Sequence, residues 1–351
     1  MHIKLPMKYP ALTCYPNHAN LLSVISQNDR YTEWFLNNYV QLFVDKNDYK
    51  KKLLRLDFYT NNPFITCPFI SHQHIHRNII KRAYDDIVEF LIHSLEEGYY
   101  IYLIIDSYYI SKYAKYQVNH QVHDLFIYGI DTERSIFYAA DNFTNGKYSY
   151  EEIPLDQIRK AYDQVENLKL SDWLEGVKLI GYREANEFWA LSHTYKFDLQ
   201  NLLIELEEYL NGSKTPVRYA NPYDQWYIYA CEMAFGQDIF DVIIHFITYE
   251  EDLFDKRPLF VLWEHKKVML MRLRYLEEKN YLTANFSDAY AKIEHSAYLL
   301  NKMYLKHFVG GSRDIEALKR IAQKLEEMKQ LEAALLRSLL QDARARAEKE
   351  G

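Results

Sequence analysis

Apolar residues recur at helical spacing in some stretches of this chain and at every second position in others. Leu21, Leu22 and Ile25 fall on one helical face after Thr13-Cys14-Tyr15-Pro16. That spacing predicts a helix within 12–25, with Thr13 as N-cap and Pro16 in the first turn, where a proline is tolerated. Residues 30–60 alternate aromatic and polar positions, which predicts strands around Phe43 and Phe58. Ile79, Ile80, Ala83, Ile87, Leu91 and Leu95 mark an amphipathic helix over 78–97 that Gly98 ends. The run 99–106 reads as a buried strand. Two more surround Phe126 and Phe137, joined through 131–134, and another covers 148–153.

Beyond about residue 155 the pattern turns helical, with segments near 154–164, 197–211, 222–231, 237–248 and 259–282 and a loop at 211–216. An early helix, then strands, then helices indicates an α+β protein. The boundaries fall into 1–195, a helical extension over 196–311, and a terminal segment, 312–351. That last segment lacks Tyr, Phe, Trp and Asn. Ile315, Leu318, Ile321, Ala322, Leu325, Met328 and Leu331 make it a solvated amphipathic helix or coiled coil. Its Gly-Gly-Ser junction fits an engineered fusion as well as a native terminus.

Composition narrows the classes. A net charge of -7 gives no support for nucleic-acid binding. No apolar run approaches the ~18 residues of a membrane span. Three scattered cysteines, Cys14, Cys67 and Cys231, form neither a disulfide framework nor a paired zinc motif. A protein of the cytoplasm, without a membrane anchor, is expected.

The candidate chemistry is an order of three residues. Cys14 opens the first helix, His123 opens one strand and Asp141 closes the next. A thiol nucleophile needs a base, and the base needs an orienting group. A helix N-terminus and a nearby histidine both lower a thiol pKa. Cys67 and Cys231 fit inert buried positions. His120 is an alternative base, and His18 lies one helical turn beyond Cys14. Asp106, Tyr108 and Tyr109 follow a buried strand and are candidate cleft residues. His72, His74 and His76 share a face if extended, but no acidic or Cys ligand accompanies them, so no metal site is expected. The run 264–267 reads as a helix face.

The segment 123–129, a histidine, an apolar run and a glycine, followed by Asp141, resembles the corresponding strands of papain-fold cysteine enzymes. More narrowly, Asp106-Ser107-Tyr108-Tyr109, His120, His123, Tyr128-Gly129-Ile130-Asp131 and Asp141 are similar to the butirosin-biosynthesis protein H N-terminal family. That family is related in fold to bacteriocin leader peptidases. The run 254–259 with Glu264-His265-Lys266 resembles the helical extension of members from peptide-antibiotic clusters, including amide-forming protease homologues of the closthioamide type.

The resemblance implies a papain-like catalytic domain over 1–195, with Cys14, His123 and Asp141 as its triad. Leader peptidases carry a Gln a few residues before the nucleophile, and none precedes Cys14 here. Lys8 and Asn17 are the candidates to supplement the Cys14 N–H as oxyanion donors. The activity implied is amide formation between a small amine and an acyl thioester. A carrier protein's phosphopantetheine would present the thioester, with no tightly bound cofactor in the enzyme itself. A basic end of 264–267 would meet that carrier. A thiol peptidase acting on a leader or linker peptide, and a non-catalytic carrier-binding scaffold, stay open.

Overall fold

A computed structural model describes residues 1–46, 53–60, 63–143, 146–170, 175–183, 195–219, 232–249, 255–309 and 314–350. In chain order the elements begin with β1 (His2–Lys4), α1 (Pro16–Ile25), α2 (Tyr31–Asn38), β2 (Gln41–Asp45) and β3 (Leu56–Tyr59). They continue with α3 (Pro63–Thr66), β4 (Ile70–His76), α4 (Arg77–Ala83), α5 (Ile87–Glu96), β5 (Tyr99–Asp106), β6 (Val122–Asp131), β7 (Ile136–Asn142) and β8 (Tyr148–Pro154). Then come α6 (Leu155–Gln164), β9 (Gly176–Tyr182), α7 (Leu199–Leu210), α8 (Thr215–Tyr219) and β10 (Met233–Phe235). The last four are α9 (Ile239–Tyr249), α10 (Arg257–Glu278), α11 (Ser287–Val309) and α12 (Ile315–Glu350). The fold is α+β with antiparallel sheets. No helix among the described residues is long and apolar enough to cross a membrane.

Two compact units divide the chain: Met1–Thr32 with Asn62–Tyr195, and Glu33–Asn61 with Lys196–Gly351. Residues 33–61 therefore leave the first domain expected at 1–195. The reason is pairing: β2 sits between β10 and β3, so the strands around Phe43 and Phe58 belong with the later sequence.

The first unit is built on an antiparallel sheet of order β4-β9-β5-β6-β7-β8, with β1 added to the far end of β6. One face carries Ile101, Leu103, Ile105, Leu125, Ile127 and Ala139, which share a core with Leu91 and Leu95 of α5 and Ile158 and Tyr162 of α6. The other face carries tyrosines that meet α1. Asn20 donates to Tyr102 Oη at 3.0 Å and accepts from Tyr148 Oη at 2.7 Å, and Tyr102 Oη donates to the Pro16 carbonyl at 3.2 Å. At Gly129 the pairing with β7 shifts register. A Cβ there would lie 2.4 Å from the Ile3 carbonyl oxygen, so glycine is what admits β1.

Local chemistry modifies several expected elements. Tyr15, in extended conformation and without a side-chain cap bond, is the N-cap of α1 in place of Thr13, while Pro16 opens the helix as expected. The helix expected over 78–97 breaks at 84–86, where Asp86 caps α5 by accepting from Val88 N at 3.0 Å. Strands β4 and β9 and helix α11 are additional to the expected elements, and the helix expected at 222–231 lies outside the described residues.

In the second unit α12 is not a solvated helix. Leu318, Ile321, Leu325, Met328, Leu336, Leu339 and Ala343 are buried, whereas Ile315 and Leu331 are exposed. The buried stripe runs through Glu332, not Leu331. Glu332 accepts from Lys266 at 2.8 Å, Gln237 at 2.8 Å, Tyr209 at 2.9 Å and the Tyr290 hydroxyl. His265 donates to the Val40 carbonyl at 2.8 Å. Glu264, His265 and Lys266 are all buried, and the partly exposed Lys267 lies 3.5 Å from Glu264, so most of the run 264–267 is packed inside. Burial lowers the Lys266 ammonium below its ordinary pKa, and Glu332 opposes that shift.

Glu332→Leu strands the Lys266 ammonium and should cost about 3–5 kcal/mol in urea unfolding. Lys266→Met should cost less, because the carboxyl group keeps its other three donors. Gly129→Ala forces β1 away from β6 and should cost about 1–3 kcal/mol in the same measurement.

Candidate active site

Strand pairing brings His123 and Asp141 together. His123 faces Ile105 across β5–β6, and Asp141 faces Ser149 across β7–β8. Pleat alternation puts both on the face of Leu125, Ile127 and Ala139. His123 Nδ1 hydrogen-bonds the Asp124 carbonyl at 2.7 Å and lies 3.2 Å from Asp141 Oδ2 as an ion pair. Asp141 Oδ2 also accepts from the Tyr113 hydroxyl, and Oδ1 accepts from the Asn142 N–H at 2.6 Å. The carboxylate is buried, while the imidazole keeps 27% of its surface. With Nδ1 committed, Nε2 is the nitrogen left for proton transfer.

The electrostatics of the pair are mutual. Burial raises the Asp141 carboxyl to about 6, although His123, Tyr113 and the Asn142 N–H favour the charged form. Burial pushes the His123 imidazole down, but the facing carboxylates of Asp141 and Asp124 and the Asp124 carbonyl outweigh it, leaving His123 above its usual 6.5. Burial, then Asp141, drives the Tyr113 hydroxyl well up, so it stays a neutral donor.

Cys14 is buried just ahead of α1, before Tyr15 and Pro16. The first-turn N–H groups of α1 have no intrahelical acceptor, and the Tyr15 side chain caps none of them. Helix α1 meets the tyrosine face of the sheet, opposite the pleat face that carries His123 and Asp141. Tyr102 holds the Pro16 carbonyl, and Tyr148, which holds Asn20, faces Asn142 beside Asp141. The described bonds of His123 run to Asp124 and Asp141, and none joins it to Cys14.

The other candidates separate. Lys8 is exposed, and its N–H is taken by the Ser23 carbonyl at 3.1 Å, so no backbone donor is left there for an oxyanion. Asn17 is half-buried in the first turn, and His18 is buried with its ring 6.5 Å from that of Tyr15. His120 bonds Asp106 rather than Asp141: Nδ1 lies 2.6 Å from Asp106 Oδ2, and the ring stacks on Tyr108 with centroids 4.0 Å apart. Tyr109 flanks the same ring at 5.8 Å. Burial pushes the Cys67 thiol up to about 12, which makes it inert at neutral pH, and Cys231 lies outside the described residues.

His72, His74 and His76 do lie on one strand, β4. His76 pairs with Glu175 at 2.9 Å, and burial with Lys178 lowers His72 and His74. Among the described residues no group of three or more His, Cys, Asp or Glu is arranged to hold a metal.

Sequence reasoning missed Tyr113 and Asp124. Tyr113 lies in an irregular stretch with no periodicity to point at Asp141. Asp124 acts largely through its carbonyl, which carries no side-chain signal.

No protein-family model matches the chain, and no curated protein matches its sequence.

Asp141→Asn removes the charge that opposes the burial of His123. The His123 midpoint, read by NMR titration of its ring, should fall from above 6.5 in the parent protein. The same raised value means that His123 contributes stability that is full below pH 6.5 and lost as pH rises through the folded value. That pH dependence should shrink in the variant.

Proposed function

We propose that the chain is a cysteine-dependent acyltransferase of papain-like type that joins an acyl thioester to an amine. The observation that carries the reading is the His123–Asp141 pair. A buried carboxylate lies 3.2 Å from Nδ1 of an imidazole held above its usual pKa. The order of nucleophile, base and orienting group along the chain supports it too, as does the resemblance to the butirosin-biosynthesis protein H N-terminal family.

In the first half-reaction His123 Nε2 takes the Cys14 proton, and the sulfur attacks the acyl carbon of a thioester on a carrier protein's phosphopantetheine. The old C–S bond breaks, and the departing thiolate recovers the proton from His123. In the second half-reaction an amine attacks the Cys14 thioester, His123 carries the amine's proton to the departing Cys14 sulfur, and the new C–N bond replaces the C–S bond. Asp141 holds the ring in one tautomer and stabilises it while charged. The positive end of the α1 helix dipole favours the thiolate and the oxyanion. The free thiols of Cys14 and Cys67 suit a reducing compartment.

Incubation with an acyl N-acetylcysteamine thioester should add one acyl mass, mapped to Cys14 by peptide mass spectrometry. Addition of a primary amine should release it as the amide. Cys14→Ala should lower amide formation at least ~10³-fold. Full turnover in Cys14→Ala would defeat the proposal.

A further inference from the structure

A second histidine–aspartate pair stands at the same end of the sheet, and the scheme above does not use it. Asp106 ends β5, where it pairs with Val122, the neighbour of His123. It is buried, and its Oδ1 accepts the N–H groups of Tyr108 at 3.0 Å and Gln121 at 3.1 Å. Oδ2 lies 2.6 Å from His120 Nδ1, and the ring rests on Tyr108. Half of the His120 side chain is exposed, and no described bond reaches Nε2. The carboxylate therefore selects the tautomer with Nε2 as an open acceptor. By alternation Asp106 shares the pleat face of Tyr102, the residue that holds the start of α1.

Proton balance gives this pair a task. Aminolysis of an acyl-cysteine by a free amine yields an amide and a thiol, and one base carries the single proton from nitrogen to sulfur. An alkylamine near neutral pH arrives as an ammonium ion, so an additional proton must leave before nitrogen has a lone pair. His123 serves the transfer to sulfur and cannot hold both protons at once. Resting on the proposed function, we infer that His120, oriented by Asp106, is the base that deprotonates the ammonium of the incoming acceptor and passes that proton to solvent. His120 is then a catalytic residue of the amine half-reaction alone, and Asp106 its positioning residue.

The test uses His120→Gln, which keeps a donor for Asp106 but has no basic nitrogen. Acyl-Cys14 formation from acetyl-N-acetylcysteamine thioester is followed first, then its capture by propylamine or by hydroxylamine, which is largely unprotonated near neutral pH. The expected result is an unchanged acylation rate, unchanged hydroxylamine capture and propylamine capture slower by about 10²-fold. The propylamine deficit should shrink as pH rises toward the amine's own pKa. Equal slowing of both amines, no slowing of propylamine, or loss of acylation itself would overturn the assignment. An absence of acyl-Cys14 in the parent protein would instead defeat the proposed function, and this inference with it.

Discussion

A carboxylate removed from water has to be hydrogen-bonded or neutralised, and that constraint governs the candidate site. Asp141 has almost no exposed surface, so Tyr113, the Asn142 N–H and His123 take the place of its hydration shell. The requirement fixes the His123 ring by Nδ1, holds the imidazole above its ordinary pKa and orders the irregular stretch that carries Tyr113. The sheet serves this end by placing β6 and β7 side by side, with Phe126 opposite Ala140. Without the pairing of those strands, neither residue would have a partner.

Much of the first unit was legible because its signals are local. The apolar run of β5, the histidine-to-glycine spacing of β6 and the closing aspartate of β7 each appear where the sequence predicts them. What escaped was written in the backbone or across long separations. Asp124 contributes a carbonyl, and the Asp106–His120 bond joins two residues that read separately as cleft lining and an alternative base. The break at 84–86 follows from Asp86 capping α5, which interrupts an otherwise continuous helical pattern.

The second unit shows the opposite limit of pattern reading. The terminal helix reads as surface because its charged positions are counted as solvated, yet its core stripe passes through Glu332. A glutamate and a lysine, both buried, can be recognised as partners only when Lys266, Tyr209, Tyr290 and Gln237 are seen to converge on the carboxylate. Charged runs such as 264–267 carry the same ambiguity. Periodicity locates a face but does not say whether that face meets water or another charge.

The central claim is that Cys14 and His123 act as one nucleophilic unit. Its most direct measurement is the pH dependence of Cys14 alkylation by iodoacetamide, read by mass spectrometry in the parent protein and in His123→Ala. The account predicts alkylation that persists well below the ordinary thiol range in the parent and returns to that range when His123 is removed. An ordinary thiol profile that is identical in both proteins would contradict it.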